Sequence, residues 1–483
     1  MVDPCEERLI ALRQRMRTPL EELRRRVRQS PFGPRGQEVL QKTLDHESLG
    51  LVGFSQYEAP PVIASAQGAS VVDIDGKEYI DLLAGFGVSN LGHCHPKVVA
   101  ALTGQAGQLI HYFDYPSEQR AHLAERLCRL SPGDFPKRVA FTVTGSDAVE
   151  MAIRAARWYT GGQFIITAYG DYHGTQIGTM ALTGKARMWA YYYPVPPSDT
   201  GVIRIPFAYC YRCPFEKTHP ACDLYCARHL EWLLESKEAC FRNPGNDASH
   251  IAAMVIEPMQ SSAGYIIPPD GFLQRLKALC DRYSILFIAD EIQAGMGRTG
   301  KMWAVEHYGV VPDLITIAKG IGGGLPLSAT IGRAELFEAW APGAHVSTFA
   351  GNHLACQVAN AVLDVFQEER IVEQARINGD YFLEGLRELE SACRLVGDVN
   401  GKGLYLGIEL VNDRRTREPA ERAAAFIHRE CLREGVLLQR SGYYANRLTL
   451  IPPLVIRREQ IDSVLDIFRR LFARAEREFY TGA

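Results

Sequence analysis

In Leu314 to Leu327, LITIAKGIGGGLPL, a short apolar run delivers a lysine directly into glycines. Lys319 is followed by Gly320 and by Gly322, Gly323 and Gly324. A lysine held at a strand end and partly removed from water has its pKa lowered, which frees the amine to form imines. The glycines let the backbone bend close to a bound group. Taken alone, a lysine beside glycines is more often a surface loop. A second apolar run, in Phe287 to Gly300, FIADEIQAGMGRTG, ends at Asp290 and Glu291. A carboxylate there can face a ligand crevice. Opposite the nitrogen of a heteroaromatic ring, Asp290 would keep that nitrogen protonated and preserve the ring as an electron sink. A bare Asp-Glu pair is more commonly solvated or metal-binding.

Two further segments follow the same plan. In Thr142 to Glu150, TVTGSDAVE, a strand ends at Gly145-Ser146 and a helix begins at once, with Ser146 suited to the N-cap. Free N–H groups and the helix dipole there suit a phosphate, although such a turn is usually only a turn. In Ala168 to Gly174, AYGDYHG, Tyr172 could stack on a flat ring, while His173 by itself reads as structural. Each segment is weak alone. Together they supply a phosphate cup, a stacking ring, a ring-nitrogen carboxylate and an imine-forming lysine.

These residues need a frame, and the apolar runs describe one. Arg138 to Val143, Phe164 to Ala168, Ile251 to Ile256, Ile285 to Ala289 and Leu314 to Ala318 read as strands, with a helix predicted from Asp147 to about Tyr159. Alternating strands and helices predict an α/β architecture, a mostly parallel sheet with helices on both faces. Ligands of such sheets sit beyond the carboxyl ends of the strands, where all four segments fall. Ser70 to Tyr79 reads as a hairpin turning at Asp75-Gly76. Beyond about residue 380 the order becomes that of a smaller α+β domain, with strands at Gly403 to Leu410 and Arg447 to Ile451 and helices near Ala420 to Glu434 and from Glu459. Leu9, Leu12, Met16, Leu20, Leu23 and Val27 recur at helical spacing, interrupted by Pro19. The expected division is a helical extension over 1–70, the first part of the small domain over 71–115, the large domain over 116–380 and the rest of the small domain over 381–483.

The 483 residues carry 53 basic and 56 acidic side chains, a net of −3, with 47% hydrophobic. That balance argues against a nucleic-acid surface, and no apolar run has the length of a membrane span. Nor does the N-terminus have the apolar core of a secretory signal, so the cytoplasm is the expected location. Twelve scattered cysteines suit a reducing compartment. Four of them, Cys210, Cys213, Cys222 and Cys226, fall in a stretch of about 207–245 as C-x2-C-x8-C-x3-C. They can ligate zinc or an iron–sulfur cluster, remain reduced, or pair as disulfides, and no metal ligand is assigned from the spacing alone.

On these segments the chain resembles the class III (ω-amino acid type) pyridoxal-phosphate (PLP) aminotransferases of fold type I. The likeness includes VVDIDGKEYIDLLAGFGVSNLGHCHPKV, IEPMQSSAG at Ile256 to Gly264, ADEIQAGMGRTG, AKGIGGGLP and STFAGNHLA at Ser347 to Ala355. It runs from about residue 70 to the C-terminus, apart from the cysteine-bearing insert. The resemblance implies that Lys319 binds PLP as a Schiff base and then shuttles a proton, and that Asp290 pairs with the pyridine nitrogen. It implies Gln293 at the phenolic oxygen, Ile292 and Tyr172 on the two ring faces, and Gly145 and Ser146 at the phosphate. Thr348 would complete the phosphate site from the neighbouring subunit of a homodimer, and Glu257 would stand behind Asp290. Many members carry an arginine three residues before the late Pro-Pro pair to clamp an α-carboxylate, but here Thr449 precedes Pro452-Pro453 and Arg447 lies nearby on the same strand face. The glutamate that γ-aminobutyrate-type members use to neutralise that arginine is replaced by Ser262. An amine without the usual carboxylate grip is therefore expected, such as an amino sugar of the kind handled by antibiotic-pathway relatives. An epimerase, racemase or dehydratase would need the same residues. A non-catalytic scaffold would have no use for Lys319 and Asp290.

Overall fold

The computed structural model describes residues 20–50, 52–185, 201–236, 241 and 250–480. Seven short strands form its central sheet, in the order Lys137–Thr142, Ser328–Arg333, Leu314–Ile317, Leu286–Asp290, Ile251–Ile256, Phe164–Ala168 and Val202–Ile205. The inner strands are apolar on both faces, and every residue of Ile251–Ile256 and of Leu314–Ile317 is buried. That is the signature of a sheet covered on both sides. The five strands from Leu314–Ile317 to Val202–Ile205 are parallel. Ser328–Arg333 runs antiparallel to both its neighbours. The ten residues 318–327 are too few for a crossover helix, so the chain turns straight back and Lys319 stays at the carboxyl edge of the sheet.

The helix Gly145–Thr160 buries Ala148, Ala152, Ala155 and Ala156, small side chains that let it lie close on the strands. A second sheet joins distant parts of the chain. Ile63–Gln67, Ser70–Asp73 and Glu78–Asp81 are antiparallel, and Val436–Leu437 adds to the last of them in parallel. The expected hairpin is closed by Asp73, whose Oδ1 accepts the N–H groups of Asp75 and Lys77. A third, antiparallel sheet is built from Val396–Lys402, Tyr405–Asp413, Arg447–Leu450 and Gln439–Ser441, with Glu418–Pro419 at its side. Helices Ile371–Ala392, Glu421–Arg433 and Arg458–Phe479 belong to this part of the chain.

Of the expected N-terminal helix, Leu9, Leu12, Met16 and Pro19 lie outside the described residues. The helix Leu20–Arg28 buries Leu23 and Val27. They pack with Leu40, Leu44, Tyr79 and Leu437, so this segment is fastened to the second sheet by its apolar stripe. Among the described residues no helix is long and apolar enough to cross a membrane.

Candidate active site

At the carboxyl edge of the central sheet lies a cavity of about 390 Å³, within the range of small-molecule sites. Its walls include Thr144 to Ser146, Tyr172 to Gly174, Glu257 with Ser261, Asp290 with Ile292 and Gln293, and Ala318-Lys319, together with Val88 and Gly324 to Leu327. The four segments singled out by their chemistry therefore meet in one place.

Lys319 follows the strand Leu314–Ile317 with φ +50°, in the left-handed region that a side chain rarely adopts. Its side chain is buried, and burial brings its pKa down to about 8 although the charges of Glu257 and Asp290 push the other way. A neutral amine is thus accessible near pH 8, where an ordinary lysine is almost wholly protonated.

Asp290 is held from two sides. Its Oδ2 lies 2.7 Å from His173 Nδ1, and its Oδ1 accepts the Ile292 N–H at 3.1 Å. The other ring nitrogen of His173 stands 3.1 Å from Thr167 Oγ1 and 3.6 Å from Asp171 Oδ2. Burial opposes a charge on His173, but the hydrogen bonds to Asp171 and Asp290 prevail and raise its pKa to about 10. The charged form of His173 is therefore favoured, and its ring faces Asp290 across a 2.7 Å hydrogen bond. Its position next to Tyr172 was the only sequence signal for this role, since Asp290 is 117 residues away.

Glu257 lines the cavity itself and does not merely stand behind Asp290. Its two oxygens accept the N–H groups of Tyr172 at 2.8 Å and Ser261 at 2.9 Å. Burial, and then the charges of Asp171 and Asp290, raise its pKa to about 8. Glu291 points the other way, as strand alternation requires. It accepts the N–H groups of Ala304 and Val305 and fastens the short helix Ala304–Tyr308. Gln293 lines the cavity and donates to the Phe86 carbonyl at 3.0 Å.

The helix start corrects one expectation. The N-cap is Thr144, not Ser146: Thr144 Oγ1 accepts from Asp147 N at 3.2 Å and Asp147 Oδ2 accepts from Thr144 N at 2.8 Å. The Thr-x-x-Asp spacing closes a reciprocal capping box, whereas the residue three after Ser146 is Val149, which has no side-chain acceptor. Gly145 and Ser146 become the first two helical residues, whose N–H groups have no partner within the helix. A Cβ at Gly145 would stand 3.1 Å from Ile292 Cδ1, so glycine keeps this floor of the cavity open.

The expected substrate residues are placed elsewhere. Arg447 is 1% exposed, and its Nη1 pairs with Glu409 Oε2 at 2.6 Å and Asp398 Oδ2 at 3.5 Å. Tyr209 and Arg212, from the cysteine-bearing insert, also bond to Glu409. Arg447 is thus no free clamp, because the register of its strand sets it directly opposite Glu409. The side chain also fills the space behind Gly264, where a Cβ would meet Arg447 Cδ at 2.3 Å. Thr449 is fully buried beside Ser441 Oγ, and Ser262 offers its carbonyl to Lys185 Nζ at 2.8 Å. None of Ser262, Arg447 and Thr449 lines the cavity around Lys319. Thr348 is exposed and lies outside that cavity in the single chain.

Chemically, the cavity offers an anion seat at a helix start, a flat slot with an aromatic residue, a supported carboxylate and an amine of lowered pKa. Phosphate, ring, ring nitrogen and aldehyde of PLP each have a matching group there, so the residues fit that cofactor.

Comparison with known proteins gives the same direction. The family model described as aminotransferase class-III matches residues 54–472. The 5-aminovalerate aminotransferase DavT of Pseudomonas aeruginosa is 39% identical over 85% of this chain and 93% of its own length. A leucine/methionine racemase of Thermococcus litoralis is 37% identical over 86% of this chain and 92% of its own. Among solved structures, a PLP-bound amine transaminase from an uncultivated Pseudomonas species superposes with a TM-score of 0.79 at 31% identity, covering 89% of this chain and 97% of that one.

Proposed function

Given that this chain belongs to the class III aminotransferases and is a PLP enzyme that transfers amino groups, we propose that its amine donor is held without a guanidinium–carboxylate clamp. The acceptor is a ketone or aldehyde, and the two substrates enter in turn. The observation that carries this reading is the buried pairing of Arg447 with Glu409, which leaves that guanidinium committed to the protein. An amino sugar or another polyhydroxylated amine suits such a site. A panel of amine donors tests it: strong activity on γ-aminobutyrate and ornithine, with none on amino sugars, removes it.

When bound, the cofactor supplies an aldehyde for the amine and a ring that takes up electrons from a deprotonated carbon. Lys319 Nζ would anchor it, and as a free amine would carry the proton removed from the substrate carbon. The N–H groups of Gly145 and Ser146 would hold the phosphate, joined by Thr348 from a second copy of the chain, which would make a homodimer the working unit. Tyr172 and Ile292 would bracket the ring and Gln293 would serve its phenolic oxygen. Asp290, hydrogen-bonded to His173, would hold a proton on the ring nitrogen. Asp290→Asn removes the carboxylate charge with little change of shape and is expected to lower kcat by about 10²–10³-fold, as for loss of one electrostatic stabiliser. Steady-state rates at saturating cofactor check this.

The lowered pKa of Lys319 adds a pH prediction. Only the neutral amine attacks an aldehyde, so cofactor capture by the apo-protein is expected to slow about tenfold per unit below pH 8 and to level off above it. A midpoint near 10.5 in stopped-flow capture rates would contradict the desolvated lysine.

The racemase relative favours a second reading, in which the proton returns to the same carbon. Pyridoxamine phosphate forming on addition of the amine supports transfer. Deuterium uptake from solvent without that product supports racemisation.

A further inference from the structure

The turn from Tyr169 to Gly174 brings Tyr172 and His173 to the cavity but belongs to no helix or strand. Its shape therefore depends on tethers. The Tyr172 N–H donates to Glu257 at 2.8 Å, and the His173 N–H donates to Thr183 Oγ1 at 3.1 Å. Gln260 Nε2 donates to the Tyr169 carbonyl at 2.8 Å and to Asp171 Oδ1 at 2.7 Å. A further tether crosses from the third sheet. Tyr443, between the strands Gln439–Ser441 and Arg447–Leu450, donates its hydroxyl to the same Tyr169 carbonyl at 2.8 Å, from 274 residues away. That hydroxyl lies against Gly170, which has φ +94° and where a Cβ would overlap it. Glycine thus admits the close approach.

The Tyr443 ring is itself held. It stacks on Tyr209 of the insert, with ring centroids 5.9 Å apart and planes at 20°. Tyr209 is buried, and its hydroxyl bonds to Glu409 and Arg447. The insert's four cysteines are free, and among the described residues no three candidate ligands gather as a metal site. Its Tyr209 instead backs a residue that reaches the turn beside the cavity. We propose that Tyr443 is a positioning residue for the cofactor site. Its hydroxyl fixes the turn, and through the turn it sets Tyr172 at the ring slot and His173 against Asp290. Side chains that serve a reacting ring must be held to within about half an ångström, and a turn without regular structure needs fixed points for that. Tyr443 does not line the cavity, so it acts only through the turn.

Tyr443→Phe keeps the stacked ring and removes only the hydroxyl. The full-length apo-protein of this variant is expected to bind PLP about two- to tenfold more weakly, the weight of one neutral hydrogen bond. The visible circular dichroism of the bound cofactor should change as well, because the ring is no longer gripped at the same angle. Tyr443 is 43% exposed, so the variant folds and its apo-protein should melt where the unaltered apo-protein does. Tyr444→Phe, at the exposed neighbour, should leave affinity and dichroism as they are. Unchanged affinity and dichroism in Tyr443→Phe overturn the proposal. A lowered apo-protein melting temperature with both readouts unchanged gives the bond a purely structural role and overturns it too. Equal changes in Tyr444→Phe would place the effect in the hairpin as a whole, which also counts against Tyr443.

Discussion

Lys319→Ala is expected to lower the rate of amino transfer by at least about 10⁴-fold, the upper end of what one positioned acid–base group contributes. The loss reaches that end because nucleophile and proton carrier are the same nitrogen. Lys319→Arg separates charge from chemistry. Arginine keeps the positive charge between Glu257 and Asp290 but does not lose its proton at any working pH, so it is expected to fail as completely as alanine. A small primary amine added to Lys319→Ala should restore part of the activity by entering the vacated space. Borohydride reduction followed by peptide mapping gives the direct check, with the pyridoxyl group on the peptide that contains residue 319. The informative rival is Lys185, whose Nζ is bonded to the Ser262 carbonyl close to Ser261 on the cavity wall. A label on Lys185, or undiminished turnover by Lys319→Ala, would sink the assignment.

The residues legible in the sequence were those whose meaning depends on the end of a strand. Apolar runs ending in Lys319, Asp290, Tyr172 and Gly145 needed only the rule that ligands gather at the carboxyl edge of a parallel sheet. The run boundaries also hold to within a residue or two, as with Leu286–Asp290 and Leu314–Ile317. What stayed hidden depends on partners distant along the chain. His173 reads as structural until Asp290 is set against it. Ser146 and Thr144 compete as N-caps, and local spacing to Asp147 decides for Thr144. Arg447 looks like a displaced clamp until the pairing of its strand with Tyr405–Asp413 is known. Strand register is a tertiary property, and a one-residue slip would have turned the guanidinium to the other face.

That register leads to the largest expected effect on stability. Glu409 is fully buried between two arginines. Arg447 faces it across the strand pair, and Arg212 reaches it from the insert. Glu409→Ala leaves Arg447, among the described residues, with only Asp398 at 3.5 Å as a counter-charge, and is expected to cost about 3–5 kcal/mol, as for breaking a buried ion pair from one side. Arg212 is 16% exposed and can turn to water, so the penalty falls mainly on Arg447. If the cost is that of an orphaned charge, removing both partners must be milder than removing one. Glu409→Met/Arg447→Met should therefore recover much of the loss, because methionine fills the space without a charge to bury. The pH dependence carries the same signature. Burial alone would raise the Glu409 pKa, but Arg447 and Arg212 outweigh it and hold the folded value below the unfolded one of about 4.3. Its contribution is then fully present above that unfolded value and lost as the pH falls through the folded one. Urea midpoints of apo-protein should accordingly drop for the single variant at pH 7, and the gap to the unaltered chain should narrow in acid. A single variant as stable as the double one would mean that Arg447 finds other partners and that the pair contributes little.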